Sequence, residues 1–154
     1  MINAKLVVVG KIKEKYLDDA ILEYYKRIKP MANLEIIEVK ECNNYDMNRN
    51  LKEEAKLILN NISDNDYVVT LEIAGHELDS VEFSNFINNH YLYNNKTLTF
   101  IIGSSDGLDE EIKKLSNYKL SFSKMTFPHQ LMRVIFLEQF YRALSIINNK
   151  KYHK

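Results

Sequence analysis

Two polar stretches in the last third of the chain have residue types that suit a site where backbone N–H and C=O groups bind a ligand. The segment IIGSSDGLDEE (101–111) carries Gly103 and Gly107 four positions apart. It lacks the GK[ST] ending of a phosphate-binding loop and the six-residue dinucleotide fingerprint. The spacing alone is as compatible with a plain turn as with a ligand site.

The second stretch, SFSKMTF (121–127), precedes one of the two prolines in the chain. Pro128 suits the first turn of a helix, since its missing N–H would have no partner there. It also keeps Phe127 out of the helical region of backbone conformation. We therefore expect an extended segment whose free amide and carbonyl groups form hydrogen bonds to the edge of a base such as adenine. A simple strand-to-helix connection would have the same pattern.

Two arginines in the apolar run behind this loop are candidates for contact with a phosphate. Arg133 lies near the start of the run and Arg142 near its end. Glu138 stands four residues before Arg142, a spacing that also favours an ordinary ion pair on a helix surface. His129 lies in the first helical turn, where a structural role and a functional role are equally compatible with its position.

The tail KKYHK (150–154) combines lysines with an aromatic ring and a histidine. Tyr152 could stack on an RNA base while Lys154 contacts a phosphate. His153 titrates near neutral pH and could move a proton. A solvated chain end would explain the same residues without RNA.

The composition excludes several classes of protein. Lys and Arg number 21 and Asp and Glu number 21, so the formal net charge is zero, unlike proteins that coat bare nucleic acid. Cys42 is the single cysteine, and no CxxC, GxSxG or metal-ligand spacing occurs. No apolar run has the length of a bilayer span or a signal peptide. We expect a cytoplasmic protein with no metal, formed by one domain over residues 1–154.

Strand-like and helix-like runs alternate along the chain. Predicted strands cover 5–10, 33–40, 67–75, 97–103 and 118–123, and predicted helices cover 15–30, 50–62, 79–92, 109–117 and 128–147. This alternation indicates an α/β fold with a mostly parallel sheet flanked by helices. Gly10, Gly75 and Gly103 end three of the strands, at the edge where open α/β sheets bind ligands. Each glycine taken singly is equally explained as a turn residue.

The last predicted helix, 128–147, is apolar on more than one face. Such a helix should be buried nearly all round, whereas a terminal helix of a small monomer normally leaves one side in solvent. Burial needs either chain wrapped over the helix or a second subunit. An apolar patch left open here predicts a dimer surface.

Several of these segments together resemble the RlmH family of SPOUT methyltransferases. They are KLVVVGKIKEKYLDDAILEYYKRI, VVTLEIAGHELDS, TFIIGSSDGLDEEI, YKLSFSKMTFPHQLMRVIFLEQFYRALSI and the terminal YHK, so the resemblance runs over the whole chain. It implies a sheet with a deep C-terminal trefoil knot, a kind of topology that is nearly absent elsewhere. It also implies a cytoplasmic homodimer that uses S-adenosylmethionine. The substrate implied is N3 of a pseudouridine in helix 69 of 23S rRNA, in the assembled 70S ribosome.

The resemblance also implies which residues contact the cofactor. They would be Leu71, Gly103, Phe122, Ser123, Lys124, Met125, Thr126 and Phe127. One departure is visible, because the family usually reads GGxxG where this chain has GSSDG. Ser104 therefore places a Cβ close to the expected pocket, while Gly103 and Gly107 remain.

For the chemistry, His153 is the candidate base that removes the N3 proton, acting from the tail over the partner's pocket. Arg142 is the candidate that stabilises the deprotonated base, and Arg133, Tyr152 and Lys154 are candidate RNA contacts. Two other readings stay open: a ribosome-binding module without catalysis, and a flavodoxin-like nucleotide-binding domain that lacks the knot.

Overall fold

Strands and helices alternate strictly in the computed structural model, which describes residues 1–154. The strands are β1 (Ile2–Val9), β2 (Ala32–Val39), β3 (Asp66–Glu77), β4 (Thr97–Ile102) and β5 (Tyr118–Ser121). The helices are α1 (Lys15–Ile28), α2 (Met47–Leu59), α3 (Ser80–Tyr93), α4 (Glu110–Leu115) and α5 (His129–Ile147).

The five strands form one sheet in the order β2-β1-β4-β3-β5, and every neighbouring pair is parallel. The predicted α/β class with a parallel sheet is thereby confirmed. One irregularity lies between β3 and β5, where Leu71 and His76 both pair with Leu120. The four residues 72–75 therefore bulge out of the ladder at the carboxyl edge of the sheet.

The strands are buried on both faces, because helices cover each side. Leu6 and Val8 of β1 point into a core shared with α1, α3 and α5, whereas Val7 and Val9 point into a smaller core shared with α2 and α4. The alternation follows from the two-residue period of a strand. It explains why these strands read as continuous apolar runs.

All ten predicted elements exist, and their boundaries differ where side chains cap the helices. Helix α2 begins at Met47 rather than at residue 50, since the Asp46 side chain accepts a hydrogen bond from the Arg49 N–H. Helix α3 begins after Asp79, which forms a reciprocal capping box with Glu82. Strand β3 continues past Gly75 because the bulge lets it rejoin β5.

Helix α5 lies over the sheet between α1 and α3, so its inner faces are buried, including Phe136, Leu137 and Phe140. Its outer face is a stripe at helical spacing: Leu131, Ile135, Glu138 and Arg142. Leu131 is 37% exposed, and Ile135 is half-buried without contact to the core. The expected burial is thus met on the inner side of the helix within this chain, and an apolar stretch remains open on the outer side.

None of the helices is both long enough and apolar enough to cross a lipid bilayer.

Candidate cofactor cavity and the C-terminal tail

A cavity of about 840 Å³ opens at the carboxyl ends of β3, β4 and β5, against the start of α5. This is the edge at which parallel sheets bind ligands. Seven of the eight residues expected to contact a cofactor line it: Leu71, Gly103, Phe122, Ser123, Met125, Thr126 and Phe127. Lys124 is exposed and does not line it.

The segment 122–127 forms one wall of this cavity. It is bent at Phe122 and at positions 124 and 125 rather than extended throughout, because the Ser123 hydroxyl accepts a hydrogen bond of 3.0 Å from the Met125 N–H. The other backbone N–H groups of the segment have no hydrogen-bond partner within the chain. They are free to bind a ligand.

Aromatic packing fixes the position of Phe122 in that wall. Its ring lies 6.0 Å from the ring of Phe83 on α3 and 6.2 Å from that of Phe136 on α5. Phe136 in turn packs 4.6 Å from Phe100 of β4. The wall therefore rests on the main core and is not a free loop.

The turn 103–107 forms the facing wall. Gly103 passes so close to Gly107 that a Cβ at position 103 would collide with the Gly107 carbonyl group. Gly107 donates its N–H to the Ser104 carbonyl at 2.9 Å and has a φ of +89°, which favours glycine. Ser104 is one of the residues that line the cavity, and its hydroxyl is buried.

The other two glycines at strand ends lie outside the cavity lining. A Cβ at Gly75 would lie 2.7 Å from the Lys119 carbonyl oxygen, so this glycine permits the bulge of β3 to pass close to β5. Gly10 has a φ of +95° and lies beneath Glu41 and His129. Of the three strand-end glycines expected near one ligand site, Gly103 lines this cavity, whereas Gly10 and Gly75 do not.

Three charged or titratable residues line the cavity that sequence reasoning did not assign to it: Glu72, Lys113 and His129. The Thr70 hydroxyl donates a hydrogen bond of 2.6 Å to Glu72 and so orients its carboxylate. A sequence signal existed for this residue, because Glu72 interrupts an apolar strand just where parallel strands present ligand groups. Lys113 and His129 come from helices, where no comparable signal exists.

Arg133 is buried, with 2% of its surface exposed. Its guanidinium donates one hydrogen bond to Glu38 and another of 2.9 Å to the Gly10 carbonyl. Burial lowers the pKa of Arg133, and the bond to Glu38 opposes that effect. In this conformation Arg133 holds α5 against the ends of β1 and β2 and offers no donor to an RNA phosphate in solvent.

The tail folds back along α5 in the same chain. Asn149 has a φ of +56° and reverses the chain direction after the helix, and the Lys150 N–H donates to the Ser145 carbonyl. Tyr152 then packs edge-on against Tyr141, with ring centres 4.7 Å apart. Tyr152 is therefore held against α5, while Lys150, Lys151, His153 and Lys154 remain exposed.

Glu138, Arg142, Tyr152 and His153 form one polar cluster on the outer face of α5. Arg142 donates two hydrogen bonds of 3.1 Å to Glu138, and Tyr152 donates one of 2.9 Å to the same carboxylate. Burial and this bond raise the pKa of Tyr152 to about 12. The anticipated Glu138–Arg142 ion pair is present.

His153 joins the cluster through Arg142, whose Nη1 lies 3.2 Å from His153 Nδ1. Since a guanidinium only donates, Nδ1 is the acceptor in this contact. The lone pair with which His153 would accept a proton is thus occupied.

The cluster and the cavity are separated within one chain. Arg142 follows Met132, which lines the cavity, by ten residues of α5, or about 15 Å along the helix axis. The residues predicted for catalysis and those predicted for cofactor binding therefore do not meet in a single subunit.

Comparison with known proteins assigns this architecture to a family. The family described as "Predicted SPOUT methyltransferase" matches residues 2–153. The chain belongs to this family. The ribosomal RNA large subunit methyltransferase H of Clostridium tetani and that of Clostridium botulinum (strain Kyoto) are each 49% identical to it, over 99% of both chains. The predicted resemblance to RlmH proteins is thereby confirmed.

Two solved structures of lower identity share the fold of this chain. A probable methylase family protein from Haemophilus influenzae has a TM-score of 0.57 at 14% identity, covering 99% of this chain and 71% of its own. A probable methyltransferase from Bordetella pertussis has a TM-score of 0.56 at 12% identity, covering 93% and 95% respectively.

Proposed function

We propose that this SPOUT methyltransferase transfers a methyl group from S-adenosylmethionine to N3 of a pseudouridine in helix 69 of 23S rRNA. The observation that carries the proposal is the cavity at the carboxyl edge of the sheet, in a chain 49% identical to proteins named ribosomal RNA large subunit methyltransferase H. The substrate is the assembled 70S ribosome in the cytoplasm.

The cavity residues fit S-adenosylmethionine in three respects. Unpaired backbone amides in 122–127 offer donors to an adenine edge. Apolar side chains such as Leu71, Leu120 and Phe122 provide surfaces for the flat base. The missing Cβ at Gly103 leaves the backbone open to close approach. When bound, the cofactor supplies an electrophilic methyl group on a sulfonium.

The chain's own residues orient the reactants and handle one proton. N3 of a pseudouridine carries a proton that must leave as N3 bonds to the methyl carbon and the carbon–sulfur bond breaks. The walls of the cavity hold the reacting atoms in line and exclude water, which supplies much of the rate. His153 takes the N3 proton, and Arg142 stabilises the negative charge that develops on the base.

This role requires His153 to exchange its partner. Its acceptor nitrogen is occupied by Arg142 in the described conformation. Binding of RNA would draw Arg142 toward the base or a phosphate and leave Nδ1 free to accept the proton. Tyr152 and Lys154 would then contact the RNA beside it, and Arg133 would act by holding the start of α5.

A homodimer would bring the separated parts together. The outer stripe of α5 carries Leu131 at one end and Arg142 at the other. Two-fold pairing of antiparallel α5 helices along this stripe would place the partner's tail beside the cavity. Each active site would then consist of one subunit's cavity and the other subunit's tail.

The knot belongs to the same proposal. Threading of 121–147 through the preceding chain would explain why the bulge of β3 passes too close to β5 for a Cβ at Gly75. It would also fix the cavity walls without a disulfide.

Transfer of labelled methyl groups tests the proposal. Purified protein, labelled S-adenosylmethionine and ribosomes that lack the modification are expected to give labelled rRNA, most strongly with assembled ribosomes and least with naked rRNA. Nucleoside analysis should locate the label on N3 of a pseudouridine. A folded protein that labels none of these substrates would instead be a ribosome-binding module without catalysis.

A further inference from the structure

A buried carboxylate lies behind the cavity and has no part in the proposed mechanism. Glu54 of α2 is 3% exposed. Its Oε2 accepts a hydrogen bond of 3.0 Å from the Cys42 N–H, whereas its Oε1 has no hydrogen-bond partner. A buried carboxylate with an unpaired oxygen is costly, so a role for that oxygen is expected.

The hydroxyl of Ser104 is a second buried polar group without a hydrogen-bond partner. This residue is 7% exposed, and its Oγ is also buried without a hydrogen bond of good geometry. Burial raises the pKa of Glu54, and the proximity of the Ser104 hydroxyl and the Cys42 amide opposes that rise. The Ser104 hydroxyl and the Glu54 carboxyl group are therefore neighbours.

The geometry connects two segments of chain through one carboxyl group. Ser104 lines the cavity and its carbonyl accepts the N–H of Gly107, while its hydroxyl lies near Glu54 of α2. Cys42 lies in the segment that follows β2, beside Glu41, which is 3.4 Å from the cavity residue His129. Glu54 thus touches both the turn that walls the cavity and the segment beneath the start of α5.

We propose that Glu54 is a positioning residue for the cofactor cavity, acting through a hydrogen bond from the Ser104 hydroxyl to Oε1 and through the Cys42 amide. Filling of the cavity closes the hydrogen bond and fixes the 103–107 turn. The inference rests on the proposed function, since it concerns the same cavity.

The test is a double-mutant cycle on cofactor affinity, measured by calorimetry with S-adenosylmethionine. Ser104→Ala is expected to weaken binding about fivefold, the effect of one hydrogen bond. Glu54→Ala, which releases both segments, should weaken it by about tenfold or more. The double variant should match Glu54→Ala within about twofold, because both changes remove the same link.

Two further variants separate positioning from general stability. Glu54→Gln keeps an acceptor for the Cys42 N–H and can bond to the Ser104 hydroxyl through its amide, so it should bind within about threefold of the wild type. Glu53→Gln on the same helix, whose partner is the surface residue Lys56, should change nothing. Additive effects in the cycle, or a lower Tm with unchanged affinity, would overturn the inference.

Amide hydrogen exchange of the cofactor-free protein gives a readout that does not depend on binding. Glu54→Ala should accelerate exchange at both 103–107 and the residues near Cys42, whereas Glu53→Gln should accelerate neither. If the wild type fails to bind S-adenosylmethionine, the proposed function is wrong. The exchange comparison then still tests whether Glu54 links the 103–107 turn to the segment near Cys42. Faster exchange in only one of these two segments would contradict that link.

Discussion

Gly103 shows how a single residue type sets the shape of the cavity. The turn returns so closely upon itself that any side chain at position 103 would displace the Gly107 carbonyl. Gly107 is constrained differently. A Cβ at position 107 would meet open space, and only the φ of +89° favours glycine there. Glycine is therefore required at these two positions for different physical reasons: a steric one at position 103 and a conformational one at position 107.

Gly103→Ala is expected to abolish detectable binding of S-adenosylmethionine and to lower the free energy of unfolding by about 1–3 kcal/mol, the usual cost of overpacking. Calorimetry and urea unfolding would measure both. Gly107→Ala is the matched control: it should cost about 1 kcal/mol for its positive φ and leave weaker but measurable binding. Equal binding by the two variants would contradict the steric argument.

Tyr152 holds the tail against α5, and its ionisation should change the free energy of unfolding with pH. Its pKa is raised from 10.0 to about 12, by burial and by the bond to Glu138. The folded protein therefore holds this proton more tightly than the unfolded chain does, and the resulting stabilisation is complete below pH 10 and is lost between about pH 10 and pH 12.

Tyr152→Phe should remove this pH dependence and cost about 1 kcal/mol at neutral pH, through loss of the hydrogen bond to Glu138. Urea unfolding of both proteins from neutral pH to about pH 12 would measure it. The difference between them should shrink toward the alkaline end. A constant difference would mean that the hydroxyl is not bonded to Glu138 in solution.

At the scale of elements, α5 has three different neighbours. The sheet, α1 and α3 bury Phe136, Leu137 and Phe140, so the inner faces need no second subunit. The outer stripe combines exposed apolar side chains with the Glu138–Arg142 pair. This division makes the helix a part of the core and, by our proposal, a dimer surface at the same time.

Leu131→Glu is expected to convert a dimer into a folded monomer, because it places a charge in the proposed apolar contact. Sedimentation equilibrium would give the mass, and circular dichroism would show that the fold persists. Leu22→Glu on α1 is the matched control, since Leu22 is 49% exposed and lies away from the stripe. A dimer that survives Leu131→Glu would place the interface on another surface.

At the scale of the whole molecule, two features support the proposed dimer that acts on an assembled ribosome: the zero net charge, and the separation of the tail from the cavity. A formal net charge of zero provides little general attraction to RNA, so recognition must come from local contacts and from the shape of an assembled substrate. Arg142, which contacts the tail, and Met132 of the cavity are about 15 Å apart along α5, and by our proposal a second subunit combines the two parts.

Subunit mixing tests this arrangement. Deletion of 150–154 should leave the affinity for S-adenosylmethionine within about twofold, since the tail lies outside the cavity, but it should abolish methyl transfer. Mixing this variant with Gly103→Ala, which has an intact tail, should restore about a quarter of the wild-type activity. Random pairing makes half of the dimers mixed, and each mixed dimer has one complete site. No recovery in mixed dimers confirmed by mass would contradict a shared active site.

The fold class, the order of elements and most of the cavity wall were determined by the sequence alone. Periodicity separated strands from helices, because side-chain direction repeats every two residues in one and about every 3.6 in the other. The motif at 121–128 and Gly103 identified the cavity wall, since backbone-lined ligand sites depend on local residue types. Even there, Lys124 does not line the cavity, because side-chain direction within an irregular loop depends on its anchors.

Only the tertiary structure decided which distant residues meet. Arg133 looked like a free cation, yet Glu38 and Gly10 bury it from positions about a hundred residues earlier. Glu54 lies behind Ser104, and Glu72 turns into the cavity beside a bulge whose register no local pattern specifies. His153 was recognisable as a titratable residue, but its bond to Arg142 depends on the reversal at Asn149. Such pairings arise from the path of the whole chain, because long-range contact is set by how elements pack and not by spacing along the sequence.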